Sequence, residues 1–411
     1  MTLPHHAPAP DSLDGIFLGH INDIARGTVE REHNRTLARD AVSALARAGF
    51  GRLRLSQEKG GSGASLPQSF RLLRKLAAAD SNIPQIFRAH FAFVETLRAG
   101  LPHEERWLQL IRSNAIFGAA MAERSDETSV TTAVTTSPDG LRLNGTKYYS
   151  TGTLYADWII VWASQGDERV RVLVPADAPG VTRIDDWDGF GQRLTGSGTT
   201  VFDNVPVSSE QIIDRSPPGE TPVQAFLAAY YQQFHNTTLA GIAEAALRDA
   251  VDFVRPRTRV FGVPGKVVQR DDPVVQGVIG RLSALAFSAA ALADRGAEAL
   301  ASVEPLWLSG HKDDDRIEAA QEDIFRAQQI IAQQTLEATT LLFEVGGASA
   351  TSEARRFDRH WRNARTLASH NPAAQRQREL GDLELNGTRL WTPYRDAQKR
   401  VNQSRKTGED T

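Results

Sequence analysis

This sequence predicts an α+β fold: helices first, a β-domain in the middle and a helical bundle last. Two changes of texture carry that expectation. Residues 1–112 repeat apolar positions at helical spacing, 113–215 switch to strand and turn chemistry, and 216–411 return to long, Ala-rich helical runs. These boundaries define three expected domains, with the middle one barrel-like and the last a four-helix bundle.

In the first block, "LARDAVSALARAGF" and "SFRLLRKLAAAD" place apolar residues three and four apart and are rich in Ala, Leu and Arg. In the second, "TSVTTAVTTSPDGLRLNGTKYYSTG" alternates β-branched and polar residues around two turn signals, Pro138-Asp139-Gly140 and Asn144-Gly145. "WIIVWAS", "RVRVLVP" and "TTVFDNVPV" extend the strand pattern. The third block holds three long helical runs, near 223–254, 274–300 and 316–345, too weakly amphipathic to face water on one whole side. Burial on several faces, partly against other subunits, is the expectation. The polar tail after 395 is read as frayed, as is the start with His5 and His6.

Composition narrows the function classes. With a net charge of −3 over 411 residues, there is no electrostatic case for nucleic acid or an anionic membrane. The absence of cysteine excludes disulfides, thiolate metal sites and a cysteine nucleophile. The start lacks an apolar leader and no apolar run approaches membrane length, so a cytoplasmic location is expected. Gly60, Gly61 and Gly63 do not fit a dinucleotide loop, because the flanks are helical and the sixth position from Gly61 is Leu66. A tight turn between helices is expected instead.

Four segments in order resemble the acyl-CoA dehydrogenase superfamily: "LSQEKGGSGASL", "LNGTKYYSTG", "RTRVFG" and "LFEVGGAS". Two more, "DDWDGFGQRLTGSGTTVFDNVPV" and "FDRHWRNARTLASHNP", resemble its two-component flavin monooxygenase branch, typified by dibenzothiophene monooxygenase. The resemblance implies the acyl-CoA dehydrogenase fold, reduced FMN (FMNH2) as cofactor with FAD as the other flavin left open, and a homotetramer. It also implies a separate NAD(P)H-dependent flavin reductase as partner, in keeping with the lack of a nicotinamide motif here.

The resemblance also maps a site. A dehydrogenase needs a carboxylate base for α-proton removal, and the two places where the family carries it read "SHNP" and "QQFHNTT", with His370, His235 and Asn236 but no acid. Oxygen activation by way of a peroxyflavin needs a dry pocket and a hydrogen-bond donor. An imidazole can donate and shuttle protons near neutral pH, so His370 is expected to be catalytic. His90 is expected as a second pocket histidine, with a core histidine among phenylalanines as the alternative. His235 is a weaker candidate of the same kind. Thr151 is placed at the reactive edge of the flavin, with Tyr149, Trp187 and Ser197 along the ring. Arg259 is assigned to the phosphate, and Gly346 and Gly347 to the flavin of a neighbouring subunit. Ser349 and Ala119 depart from dibenzothiophene monooxygenase, so a different, small and largely apolar substrate is expected, oxygenated at sulfur, nitrogen or carbon. No metal site is expected. Two rivals remain: an acyl-CoA dehydrogenase with FAD and an unrecognised base, and a flavin-binding protein without chemistry.

Overall fold

A computed structural model describes residues 12–124, 131–216, 224–260, 262, 268–311 and 315–390. His5, His6 and the tail after 395 lie outside the described residues. Five helices come first: α1 (Leu13–Asn34), α2 (Arg39–Arg47), α3 (Leu66–Ala79), α4 (Asn82–Arg98) and α5 (Glu104–Arg112). Ser65 starts α3 with a capping box, its Oγ accepting from Gln68 N–H while Gln68 Oε1 accepts from Ser65 N–H. The glycine run before it is a tight turn. A β-carbon on Gly61 would lie 2.2 Å from the Leu55 carbonyl oxygen, so only glycine lets the chain fold back there.

Eight strands follow: β1 (Phe117–Ala120), β2 (Ala133–Ser137), β3 (Gly140–Lys147), β4 (Trp158–Gln165), β5 (Glu168–Pro175), β6 (Val181–Arg183), β7 (Thr200–Val207) and β8 (Ile212–Ser216). They form one sheet in the order β6-β7-β3-β2-β4-β5-β8, with β1 pairing parallel to β4. Pro138-Asp139 turns the β2–β3 hairpin, which closes at Ser137 and Gly140. Asn144-Gly145 does not turn. It lies inside β3, where the register against β7 slips between Leu143 and Gly145, and Gly145 takes φ +145° against Thr132. Asn144 Oδ1 accepts from Asn204 N–H (2.7 Å) across this bulge. The same Asn-Gly chemistry that favours a hairpin turn also favours a bulge, and strand pairing on both sides decides.

The last block contains α6 (Ala225–Val254), α7 (Pro273–Leu308) and α8 (Asp315–Leu341), packed on one another. The shorter α9 (Asp358–Ala368) lies against α6 and α8, and α10 (Ala373–Asn386) follows it. α7 is long and apolar enough by length and composition to cross a membrane, which the sequence reading overlooked. It is placed here as a bundle helix, carrying Arg281, Asp294, Arg295 and Glu298 along its length. Its outer face leaves Val274 and Phe287 about three-quarters exposed.

Edge-to-face aromatic contacts knit the first block together, Phe17 to Phe50 and Phe50 to Phe87 and Phe91, and Phe70 to Phe234 of α6 ties it to the last. A buried ion network does the same job. Glu95 of α4, wholly buried, accepts from Arg54 (2.6 Å) and Arg98 (2.5 Å), and both arginines also reach Glu304 of α7. Removing one member of such a network strands the others in a dry interior. Glu95→Ala is therefore expected to lower the unfolding free energy by about 3–5 kcal/mol. Urea denaturation checks this, and a loss below about 1 kcal/mol would contradict it.

Candidate active site

Helix α4 reads "NIPQIFRAHFAFVETLR", and nearly every one of its residues is buried. Arg88 is the exception in its middle, half-buried and reaching across to the loop after α9. There its Nη2 donates to Nε2 of His370 (3.4 Å), while its guanidinium lies 5.2 Å from the Tyr231 ring centre. His370 in turn packs against His235 of α6, with ring centroids 4.4 Å apart and the rings tilted by 42°. His370, Arg88 and Tyr231 keep accessible surface although protein surrounds them on most sides, as expected of groups lining a recess.

A polar chain holds His370 from behind. Its Nδ1–H donates to Asn371 Oδ1 (3.2 Å), Asn371 Nδ2 donates to Gln232 Oε1 (2.6 Å), and Gln232 Nε2 donates to Asn236 Oδ1 (2.9 Å). Asn236 Nδ2 ends the chain on the Ile324 carbonyl (3.0 Å). This network fixes the tautomer, leaving the Nε2 lone pair towards Arg88. The expectation that His370 offers an N–H to oxygen is revised accordingly: it presents an acceptor, and the donors in the recess belong to Arg88.

Burial is the main cause that pushes His370 down to about 4, with the Arg88 charge adding to it. His235 is held well below the usual histidine range by burial, then by His370 and Arg88. Both imidazoles are neutral at physiological pH. His235 is buried, and neither of its ring nitrogens has a protein partner, although buried polar atoms in folded proteins nearly always find one. No carboxylate is among the hydrogen-bond or ion-pair partners of Arg88, His235, His370 or Asn371 in the described residues.

A second cluster lies on the sheet side. Tyr149 sits at φ +57° with its ring about half exposed, and Trp187 meets it edge-on at 5.8 Å. A left-handed tyrosine is costly, and such residues concentrate at functional sites. Beside it runs a hydroxyl chain, Thr195 to Ser197 (2.7 Å) to Thr151 (2.9 Å). The 185–199 loop is shaped by glycine: Gly189 lies under the Trp187 indole, and Gly191 packs on the Arg362 carbonyl of α9. The structure thus brings Thr151, Tyr149, Trp187 and Ser197 together, and α4 links them to His370. The Ile86 carbonyl abuts Gly152, two residues along the helix from Arg88.

The comparisons match this architecture. The acyl-CoA dehydrogenase middle-domain family matches residues 119–205 and its C-terminal-domain family residues 235–375, together more than half of the chain. The chain belongs to the acyl-CoA dehydrogenase superfamily. It sits in the superfamily's flavin monooxygenase branch. It is 29% identical to the probable FMNH2-dependent monooxygenase SfnC of Pseudomonas putida, over 95% of this chain and 98% of that one. The dibenzothiophene monooxygenase TdsC of Paenibacillus sp. A11-2, solved with FMN and indole, superposes with a TM-score of 0.84 at 28% identity, covering 93% and 98% of the two chains. Methanesulfinate monooxygenase MsuC of Pseudomonas fluorescens gives 0.82 at 26%, covering 92% and 98%.

Within this superfamily member, three of the expected site residues lie elsewhere. Gly346 packs against Phe253, and Gly347 follows it on the surface. Arg259 is exposed just beyond Arg257, whose guanidinium covers the same phenylalanine. Phe253 is 18 residues from His235 on α6, about 27 Å at 1.5 Å per residue, so these residues do not reach the same chain's recess. His90 is wholly buried with both nitrogens in use: Nε2 donates to the Gly51 carbonyl (2.7 Å), and Nδ1 accepts from Phe117 N–H (3.3 Å). In this geometry it offers no nitrogen to a ligand.

Sequence reading missed Arg88 and Tyr231. A signal for Arg88 existed, since a lone arginine inside a helix apolar on every face is out of place unless it lines a cavity. His235 was underweighted for want of a fixed register.

The His90 geometry gives a signed expectation. His90→Ala leaves a backbone donor and acceptor unpaired beside a new cavity, costing about 3 kcal/mol at pH 8. Burial lowers the folded His90 pKa to about 4, so the unfolded chain binds the extra proton. Wild-type stability is then full above the ordinary histidine pKa and falls as pH drops from about 6.5 towards 4. The wild-type advantage over His90→Ala should shrink across that window. Denaturant midpoints against pH test this; unchanged stability with lost turnover would return His90 to a catalytic role.

Proposed function

We infer that this chain is an FMNH2-dependent monooxygenase that uses O2 to oxygenate a small organic substrate. The observation that carries this reading is the recess itself, with two neutral imidazoles, one guanidinium and no carboxylate among their partners. An acyl-CoA dehydrogenase must take an α-proton with a base that is ionised near neutral pH. A histidine whose pKa is about 4, beside a positive charge, is a poor base for a carbon acid. The relatives' FMN and FMNH2 chemistry points the same way.

The residues present suit a flavin: exposed Tyr149 with half-buried Trp187 edge-on to it, a hydroxyl chain ending on half-buried Thr151, and the unpartnered nitrogens of His235. Tyr149 and Trp187 would flank the ring, and Thr151 and Ser197 would bond its polar edge. Reduced FMN, when bound, supplies the electrons that activate dioxygen. His370 would relay, at Nε2, the proton that leaves with the water, and Asn371 would keep the ring oriented. His235 closes the recess against water with its face.

Arg259, Gly346 and Gly347 would serve the flavin of a neighbouring copy, since they lie far from their own chain's recess. The exposed apolar face of α7 suits such an assembly, and a homotetramer is the form proposed. A separate NAD(P)H-dependent reductase would supply FMNH2. Free reduced flavin reacts with oxygen on its own, so the two enzymes belong in one compartment, the cytoplasm.

The test supplies FMNH2 from an added reductase under ¹⁸O2, with methanesulfinate, indole and dibenzothiophene as candidate substrates. One labelled oxygen should enter the product. His370→Ala should lower product formation by about a hundredfold or more, with FMN affinity unchanged and hydrogen peroxide released instead. Absence of label from every product, together with flavin reduction by an acyl-CoA thioester, would overturn the reading.

A further inference from the structure

We propose that the substrate is an organic sulfinate and that Arg88 determines this specificity by holding its negative charge. The inference deepens the monooxygenase reading and rests on it for the oxygen transfer.

Arg88 shares a buried, unpartnered Nε with the half-buried Arg257 and Arg356, and is set apart from them by its place beside His370 and His235. Arg31 pairs with Asp80, Arg54 with Glu95, Arg359 with Asp249 and Arg362 with Glu32, at 2.6–2.9 Å. Arg183 has the carbonyls of Thr153 and Ala156. Arg88 has a neutral imidazole at 3.4 Å and an aromatic face, its Nε is buried without a partner, and it has no ion pair among the described residues. Its neighbours His235 and His370 are neutral, so the recess carries a positive charge that no carboxylate among the described residues pairs with. Removing a guanidinium from water is costly unless an anion and hydrogen bonds replace the solvent. The planar fork suits a two-oxygen anion bound through parallel N–H bonds.

The oxygenase chemistry selects among such anions. The atom that receives oxygen must be electron-rich and lie beside His370, to which Arg88 is bonded. A carboxylate places only an electron-poor carbon there. A sulfinate places a sulfur lone pair one bond from the oxygens held by Arg88. The reaction balances as R–SO2⁻ + O2 + FMNH2 → R–SO3⁻ + FMN + H2O. The S–O bond forms as the O–O bond breaks, sulfur is oxidised, and the second oxygen leaves as water with the two hydrogens of the reduced flavin. MsuC, whose name specifies methanesulfinate, is among the structural neighbours, although neutral aromatic substrates also occur in the branch.

The test is calorimetric titration of the full-length protein, with saturating FMN, by sodium methanesulfinate and benzenesulfinate, with indole as the neutral comparator. Saturable sulfinate binding is expected. Arg88→Met should weaken it by about tenfold or more, and Arg88→Lys by less. Indole affinity and FMN affinity should not follow that order, and retained FMN binding shows that the variant is folded. Indole binding without sulfinate binding, or sulfinate binding equal in wild type and Arg88→Met, overturns the proposal. Failure of the underlying reading looks different: sulfinates bind through Arg88, but no candidate acquires oxygen from O2.

Discussion

A helix buried on every side must find partners for each polar group it carries, and α4 does so in a way that fixes the rest of the site. Its ends are pinned. Asn82 accepts from the Leu194 N–H of the 185–199 loop, and Glu95 is locked between two arginines. Between them its surface is divided among the β3–β4 connection, which Ile86 meets at Gly152, the core around Phe50 and Phe91, and the recess that Arg88 enters. Small displacements of this helix would misplace the hydroxyl chain and the guanidinium together. That coupling explains why ion pairs and aromatic contacts concentrate around α4.

Electrostatics then set the chemistry. The fold spends buried Glu32, Asp80 and Glu95 and half-buried Asp249 on structural arginines, yet among the described residues brings no carboxylate to His370. Asp249 illustrates the contrast. It accepts from Arg359 (2.6 Å) and His360 (2.8 Å), which clamps α9 to α6 and so aims the loop that ends in His370. Acids here hold helices in place, and the recess is left to imidazole, amide, hydroxyl and guanidinium groups. Such a set can move a proton and hold an anion, but it cannot readily deprotonate carbon.

Much of the architecture was legible because each block has its own periodicity, and because Pro138-Asp139 and the glycines of 60–63 admit few backbone solutions. Asn144-Gly145 misled because the residues of a hairpin turn and of a bulge are the same, and only pairing with β7 decides between them. His370 could be named from its segment. His90 and His235 could not be ranked, since both are histidines on apolar helices, and the Gly51 carbonyl that occupies His90 comes from a distant part of the chain. Arg88 was overlooked because an arginine on a helix is ordinarily a solvated residue. Arg259 and the Gly346-Gly347 turn are grouped by resemblance with residues that their own chain does not bring near. Symmetry between copies is not readable from one sequence.

The central claim is that this recess handles oxygen and is not a site for α-proton removal. The most direct measurement mixes the protein loaded with FMNH2 under anaerobic conditions with oxygenated buffer, and follows flavin reoxidation beside that of free FMNH2. The account predicts that the bound flavin returns to its oxidised form more slowly and by a different time course than the free flavin. Reoxidation indistinguishable from that of free FMNH2 would contradict it.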